Sequence, residues 1–225
     1  MGAGFDTTAN SLAFSFLELA KAQKEQGILR HALLESPEPR ACPEIKSVIR
    51  ETLRFHPAAA NGSWRMVEKD IPVAGSPYVI PKGSIVNIAL YSVLHNGEVY
   101  QDPDMFKPRR WQKPSDAMMK AFMPFSLGMR SCQGQALAYA EMEVVLSKLI
   151  TKFEFDVVEE GSMSCQTIHS PVKSILSLKS VNSTPIIRGR DFGYSEQGKE
   201  KDGDDDEYVF DILDPILNLL KAKGE

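Results

Sequence analysis

A single cysteine between two glycines, placed directly before a long helical pattern, constrains this chain more than any other feature. The segment FSLGMRSCQG spans residues 125–134, and the amphipathic run GQALAYAEMEVVLSKLITKF follows from its last residue. Gly128 and Gly134 remove side chains, so the backbone can bend and a flat ligand can approach it closely. Free amide N–H groups at a helix start favour a negative sulfur on Cys132. The segment therefore predicts a loop that presents a thiolate to a ligand, with the helix beginning near Gln133.

The ligand that suits this loop is flat and carries carboxylates. Arg130, two residues before the cysteine, supplies a fixed positive charge for such a group. A thiolate that faces a flat, carboxylate-bearing cofactor describes the proximal pocket of haem. A free cysteine in a glycine-rich loop is the alternative. The other cysteines, Cys42 and Cys165, form no CxxC pair and are expected to be structural, and the histidines have no partner at ligand spacing. An odd, sparse set of cysteines is typical of a reducing, intracellular compartment.

The spacing of apolar residues predicts a mainly α-helical fold with small β-sheets, of the α+β class. Residues 3–34 show a helical period that we expect Gly27 to interrupt. Residues 43–55 form a second amphipathic pattern. From Pro57 onward, β-branched runs separated by AGSP and PKG predict hairpins, and FEFDVVEE and SILSLKSV predict the last strands. Residues 95–131 are irregular and rich in Pro and Gly, and such a long irregular stretch inside a domain is usually functional.

Charge divides the chain near Val181. Residues 191–225 hold 11 acidic and 4 basic residues, which leaves 19 acidic and 22 basic residues in residues 1–190. This near balance excludes a dedicated nucleic-acid-binding domain, which would be strongly basic. We expect a folded core over residues 1–181 and an acidic, disordered tail with a short apolar helix over residues 182–225.

The sequence carries no pattern of a signal peptide, and no apolar run approaches the roughly 18 residues that a membrane span needs. It opens directly in a helical pattern, so we expect further sequence upstream.

Four motifs, in order along the chain, resemble those of the cytochrome P-450 haem-thiolate monooxygenases. The most specific is F-x-x-G-x-R-x-C-x-G at residues 125–134, which resembles the cysteine-ligand loop of that family. AGFDTT at residues 3–8 resembles the oxygen-activation segment of the long distal helix. ETLR at residues 51–54 resembles the E-x-x-R signature, and FKPRRW at residues 106–111 resembles F-x-P-E-R-[FW]. The resemblance covers residues 3–181 and implies the C-terminal, haem-binding half of the cytochrome P-450 fold.

The resemblance implies a haem cofactor and gives several residues a role toward it. Cys132 matches the thiolate that ligates the iron, and Phe125 matches the ring that packs beside the sulfur. Arg130 and Arg65 match arginines that bind the haem propionates; for Arg65, a surface strand residue is the alternative. The other cofactor-contacting positions are small residues, namely Ala3, Gly4, Gly128 and Gly134.

Asp6 and Thr7 match the acid–alcohol pair that delivers protons during oxygen activation. From the residues alone, an N-cap followed by two β-branched residues at a frayed helix start would be favoured. The resemblance reverses this preference and predicts a catalytic role for both residues.

Glu51 and Arg54 are three residues apart and therefore neighbours on one helix face. The resemblance implies that this pair and Arg110 form a buried charge cluster that holds the cysteine loop. A solvated helix pair, worth a few tenths of a kcal/mol, is the alternative. One departure from the family pattern stands beside the cluster, because Arg109 occupies the position of the acidic residue in F-x-P-E-R.

The resemblance implies a monooxygenase that inserts one atom of dioxygen into a small apolar organic substrate and reduces the other to water. A reductase or a ferredoxin-type partner would supply the electrons, and residues 57–63 and 168–172 would border the substrate cavity. The resemblance implies that this sequence matches only the C-terminal half of the family fold, so we expect helices 3–34 and 134–153 to expose apolar faces. A non-catalytic haem-binding or degenerate fragment that acts through its tail is the alternative, and a purely structural protein is a third. An anchored eukaryotic parent would place the protein at the endoplasmic reticulum membrane, and any other parent in the cytoplasm.

Overall fold

The fold combines long helices with small antiparallel sheets. The computed structural model describes residues 2–36, 38, 41–165, 169–172, 174–181 and 207–211. Its α-helices are α1 (Gly2–Lys21), α2 (Gln23–Glu35), α3 (Pro43–Phe55), α4 (Leu90–Leu94), α5 (Asp116–Ala121) and α6 (Gln135–Ile150). Its strands are β1 (Ser63–Met66), β2 (Ile71–Pro72), β3 (Val79–Ile80), β4 (Ile85–Ile88), β5 (Phe153–Glu159), β6 (Ser162–Cys165), β7 (His169–Val172), β8 (Ile175–Ser180) and β9 (Glu207–Asp211). Short 3-10 helices cover Pro108–Gln112 and Gly128–Arg130.

All strand pairs in the described residues are antiparallel. β1 pairs with β4, β2 with β3, and β6 with β7. β5, β8 and β9 form a three-stranded sheet in that spatial order. The segment AGSP connects β2 to β3, and the segment PKG connects β3 to β4, as the sequence predicts. The prediction of a mixed fold of helices and small sheets is therefore confirmed.

Helix α1 lies at the centre of the hydrophobic core. Every residue from 8 to 20 is buried, and its apolar side chains share a core with Ile49 of α3, Met142 of α6 and Phe155 of β5. Phe16 stacks on Phe155 with the ring centroids 4.7 Å apart. For α1 the expectation of an exposed apolar face is wrong, because α3, α6 and the β5–β8 sheet cover it. In the other two helices, Leu34 of α2 and Leu137 of α6 are exposed.

The break between the first two helices lies at Ala22 rather than at Gly27. Gln23 Nε2 donates to the carbonyl oxygen of Phe155 at 2.7 Å. The buried side chain of Gln26 donates to the same carbonyl at 3.0 Å and accepts from the Phe155 amide at 3.0 Å. These bonds hold the start of α2 against β5, so the chain turns beside the sheet. Gly27 lies inside α2, where a glycine costs only about 1 kcal/mol relative to alanine.

One part of the predicted tail is a strand. β9 pairs with β8, with Glu207 opposite Lys179 and Asp211 opposite Ile175. The backbone is thus extended where the sequence predicts the beginning of a short apolar helix, because β8 offers it an unpaired edge. Residues 182–206 and 212–225 of the predicted tail lie outside the described residues. None of the helices in the described part of the chain combines the length and hydropathy that crossing a bilayer requires.

Candidate functional site

A cavity of about 490 Å³ lies between the first turns of α1 and the loop that carries Cys132. The structure brings five of the residues singled out in the sequence to its lining, although they come from three separate regions of the chain. These residues are Thr7 from α1, Arg65 from β1, and Phe125, Arg130 and Cys132 from the loop before α6. Side chains from α3, β4 and α6 complete a mainly apolar wall.

The Cys132 loop is held in a tight turn by its own backbone. The Cys132 amide donates to the carbonyl oxygen of Phe125 at 2.9 Å. Gly128 has a φ of +74°, in the left-handed region that glycine adopts without strain. α6 begins at Gln135, with Gly134 as its N-cap, two residues later than predicted. The loop leaves the thiol of Cys132 exposed.

Two contacts fix the surroundings of the sulfur. Phe125 packs against Tyr139 of α6 with the ring centroids 5.3 Å apart. Burial raises the pKa of the Tyr139 hydroxyl, which therefore stays neutral beside the aromatic ring. A Cβ added at Gly134 would lie 3.8 Å from Cys132 Sγ, an ordinary contact distance. The sulfur itself therefore does not require a glycine at this position.

Polar side chains near the start of α1 bond to backbone carbonyls four residues earlier. Asn10 Nδ2 donates to Asp6 O at 2.7 Å, and Ser11 Oγ donates to Thr7 O at 2.9 Å. Thr8 Oγ1 likewise donates to Gly4 O at 3.0 Å. Such bonds compete with the helical ladder and often bend a helix. They are concentrated where α1 lines the cavity.

The predicted residues of α1 do not all reach the cavity lining. Thr7 is half-buried and lines it, whereas Asp6 is exposed and lies beside the lining residues. Gly4 is also exposed, and an added Cβ there would meet no atom within 4 Å. Ala3 lies in α1, where the structure describes its backbone but not its side chain.

Two arginines bring positive charge to the cavity. Arg65 is half-buried on β1, where it stands opposite Val86 of β4 and donates from Nη1 to Trp64 O at 2.9 Å. Arg130 is exposed and closes the short 3-10 helix before Cys132. Both guanidinium groups can donate paired hydrogen bonds to a carboxylate.

Glu51, Arg54 and Arg110 form a buried charge cluster. The side chains of Glu51 and Arg54 are completely buried, with Arg54 Nη2 2.9 Å from Glu51 Oε1 and Arg54 Nε 3.0 Å from Glu51 Oε2. Arg110 Nε lies 3.0 Å from Glu51 Oε1, and Trp111 Nε1 donates to Glu51 Oε2 at 2.8 Å. The prediction of a buried cluster is confirmed, and a solvated helix pair is excluded.

This cluster fixes the segment that follows α4. Arg54 Nη1 donates to the carbonyl oxygens of Leu94 at 3.0 Å and Pro103 at 2.8 Å. The resemblance implies that the cluster holds the cysteine loop, whereas these bonds end upstream of that loop. The connection runs through packing, because Trp111 lies against Phe122 with ring centroids 4.6 Å apart, three residues before the loop.

Arg109, which departs from the family pattern, pairs with a carboxylate of α2. Its Nε lies 3.2 Å from Glu25 Oε1, and half of its side chain remains exposed. The arginine therefore lies outside the buried cluster, although its neighbour Arg110 belongs to it.

A second buried polar group lies between α1 and α3, where the sequence analysis expected only an ordinary histidine. His56 Nε2 is 3.0 Å from Glu18 Oε1, and Phe14 stacks on the imidazole at 3.9 Å. Burial lowers the pKa of His56, although Glu18 opposes this effect. Burial alone would raise the pKa of Glu18, but the hydrogen bond and charge of His56 and the charge of Lys21 lower it overall. A glutamate within an apolar helical stretch is the sequence feature that could have indicated this pair.

Sequence reasoning missed several residues that line the cavity between the predicted ones. Ser11 lies one helical turn after Thr7, so helical spacing could have indicated it. Met142 also lines the cavity, but its position depends on how α6 packs against α1. Of the predicted substrate-bordering segments, residues 57–63 contribute Ala58, Ala59, Gly62 and Ser63 to the lining. In the segment 168–172, residues 169–172 form strand β7, and residue 168 lies outside the described residues.

Comparisons with known proteins identify the family to which this fold belongs. A family model described as Cytochrome P450 matches residues 1–180. "Probable cytochrome P450 508C1" of Dictyostelium discoideum is 32% identical over 200 residues, which cover 79% of this chain and 40% of that protein. "25-hydroxyvitamin D-1 alpha hydroxylase, mitochondrial" of Rattus norvegicus is 31% identical over 189 residues, covering 77% of this chain and 37% of that protein.

A solved structure supports the fold. A crystal structure of a cytochrome P450 (CYP102L1) superimposes with a TM-score of 0.71 at 24% identity, covering 80% of this chain and 44% of that one. At this level of identity the likeness concerns the fold alone. The chain spans about 40% of the length of the curated relatives that it matches.

Proposed function

This chain belongs to the cytochrome P450 family, and from that membership we propose that it is the C-terminal, haem-binding part of a haem-thiolate monooxygenase. Cys132 would be the axial ligand of the iron. One observation carries the proposal: the Cys132 loop and the Thr7 turn of α1 line the same cavity. An ordinary free cysteine in a surface loop would have no reason to share a cavity with that turn.

The residues present fit a haem group. The cavity of about 490 Å³ is mainly apolar, as a flat macrocycle requires, and it has an exposed thiol at its lining. Arg65 and Arg130 supply two cations for two propionates. When bound, haem supplies the oxygen chemistry: with two electrons from a partner, it allows one atom of dioxygen to enter an organic substrate while the other becomes water.

The chain's own residues would hold the cofactor and exclude water. Cys132 Sγ would bind the iron, and the hydrogen bond from the Cys132 amide to Phe125 O keeps the loop in position for it. The Phe125 ring, fixed against Tyr139, would keep water away from the sulfur. Gly128 and Gly134 would let the loop backbone lie close to the cofactor, and Ala3 and Gly4 would do the same on α1.

Asp6 and Thr7 would move protons into the cavity. The Asp6 carboxylate is exposed and can exchange protons with solvent, while Thr7 lies at the lining and can present its hydroxyl inside. The Asp6 carboxyl would supply protons at the edge of the cavity, and Thr7 Oγ1 would present its hydroxyl proton inside it. Asn10 would position this turn, because its side chain holds the Asp6 carbonyl at 2.7 Å.

The proposed substrate is a small apolar organic molecule. Ala58 and Ala59 line the cavity with short side chains, which leave room beside the cofactor position. Electrons would come from a reductase or a ferredoxin-type partner that docks near the exposed Cys132 loop, where Met129 is fully exposed. A non-catalytic haem-binding or degenerate fragment is the second candidate, and the span of about 40% of its relatives supports it.

Haem titration of the full chain tests the binding part of the proposal. We expect saturable binding at one haem per chain, with a thiolate-type absorption spectrum that is lost in Cys132→Ala and kept in Cys42→Ala. The second variant removes another thiol and serves as the control. Exchanging both Arg65 and Arg130 for glutamine should weaken binding roughly tenfold or more, since hydrogen bonds to charged groups contribute about 1.5–3 kcal/mol each. Unchanged binding and spectrum in Cys132→Ala would contradict the proposal.

Turnover separates the two candidates. With NAD(P)H, a reductase system and a panel of apolar substrates, the monooxygenase predicts an oxygenated product whose yield per NAD(P)H falls in Thr7→Ala. Haem binding without product under every electron donor would favour the non-catalytic fragment.

A further inference from the structure

A second cavity, of about 630 Å³, lies between the start of α2 and residues 99–118, and it shares no lining residue with the Cys132 cavity. Its lining is strongly basic. Five of its lining residues carry positive charge: Lys24, Lys107, Arg109, Arg110 and Lys113. Glu25 and Asp102 are the acidic ones. Nothing in the haem-thiolate proposal uses this cavity.

The carboxylates around the cavity do not neutralise these cations. Lys107 Nζ lies 2.6 Å from Asp102 Oδ2, and this bond lowers the pKa of Asp102, which therefore stays ionised. Arg109 is paired with Glu25, as described above, and half of its side chain remains exposed. Within the described ranges, neither Lys24 nor Lys113 has a carboxylate partner.

The buried cluster adds to this excess. Glu51 is a single carboxylate that faces both Arg54 and Arg110. When Arg54 and Glu51 are added to the charged lining residues, six cationic side chains face three carboxylates. The surplus charge lies at exposed positions, where it attracts an anion from solution.

The cavity also offers apolar surface. Val99, Phe106 and Met118 line it beside the charged groups. Its volume falls within the roughly 300–1,000 Å³ that is usual for small-molecule sites. A recess of this size can hold a compact ligand.

We propose that this cavity binds a small organic molecule that carries a phosphate group. Lys24, Arg109 and Lys113 bind the phosphate, because guanidinium and ammonium groups are the usual protein partners of phosphate oxygens. The apolar part of the ligand packs against Phe106 and its neighbours.

Calorimetric titration of the full 225-residue chain with inorganic pyrophosphate at low ionic strength tests the proposal. We expect saturable binding at one site. The double variant Lys24→Gln/Lys113→Gln should weaken it at least tenfold, and Arg109→Gln should weaken it severalfold. Both lysines are exposed, so the double variant should fold, which circular dichroism can verify.

The control variant is Lys69→Gln/Lys82→Gln, which removes the same charge from exposed positions outside the cavity. It should bind pyrophosphate as the native chain does. Equal weakening in the control would show attraction by net charge alone and would overturn the site. If the native chain does not bind pyrophosphate saturably, the proposed phosphate site is overturned. Binding of an acidic polypeptide alone would overturn it as well. The experiment needs no haem, so its failure leaves the proposed function untouched.

Discussion

Replacing Arg54 by leucine is expected to lower the free energy of unfolding by at least about 3–5 kcal/mol, the usual cost of removing one partner of a buried ion pair. Leucine keeps part of the buried volume but removes both bonds to Glu51 and the donors to Leu94 O and Pro103 O. Each buried carbonyl left without a donor adds about 1–3 kcal/mol. Because domains are stable by only about 5–15 kcal/mol, the variant should be close to unfolded.

Urea denaturation followed by tryptophan fluorescence and circular dichroism measures this loss. Trp111 is 3% exposed and donates to Glu51, so its emission reports directly on the cluster, whereas Trp64 is 66% exposed and should change little on unfolding. Lys46→Leu is the matched control, because Lys46 lies on the same helix and is exposed. It should change the free energy of unfolding by no more than about 0.5 kcal/mol.

A small effect would refute the reasoning. If Arg54→Leu lost less than about 1 kcal/mol and left the Trp111 emission unchanged, the cluster would not hold the segment after α4.

Two further perturbations test other parts of the structure. Stability should fall as the pH is lowered from about 7.5 to about 5, because unfolded His56 takes up a proton near its ordinary pKa of about 6.5 while burial lowers the pKa of the folded residue. Glu18, whose folded pKa is lowered, adds stability above about pH 4.3 that is lost as the pH falls through its folded pKa. Urea midpoints across this range should show a flatter profile for His56→Gln, and parallel profiles would contradict the assignment. Gly62→Ala should cost more stability than Gly128→Ala, although both residues have φ near +75°. An added Cβ at Gly62 would overlap the carbonyl oxygen of Ile88, whereas one at Gly128 would meet nothing within 4 Å. Gly128→Ala should lose only the roughly 1–2 kcal/mol of a left-handed residue, and equal losses in thermal melts would refute this explanation.

Local spacing accounts for what the sequence could predict. Glu51 and Arg54 are three residues apart on one helix, so their pairing follows from helical geometry alone. The loop at residues 125–134 is likewise a local unit, in which Cys132 bonds back to Phe125. The strands with Pro- and Gly-marked turns also follow from nearby residues.

Long-range contacts account for what it could not. The break at Ala22 depends on Gln23 and Gln26 bonding to Phe155, which is 129 residues beyond Gln26. β9 forms because β8 has a free edge with which it can pair. The spacing of apolar residues within 207–211 does not reveal that edge. The second, basic cavity likewise forms only when α2 meets residues 99–118.

The most direct test of the central claim is a reduced carbon-monoxide difference spectrum of the full chain reconstituted with haem. A thiolate-ligated site predicts a strongly red-shifted Soret band that disappears in Cys132→Ala and remains in Cys42→Ala. A band without that shift, or a shifted band that survives in Cys132→Ala, would contradict the assignment of Cys132 as the axial ligand.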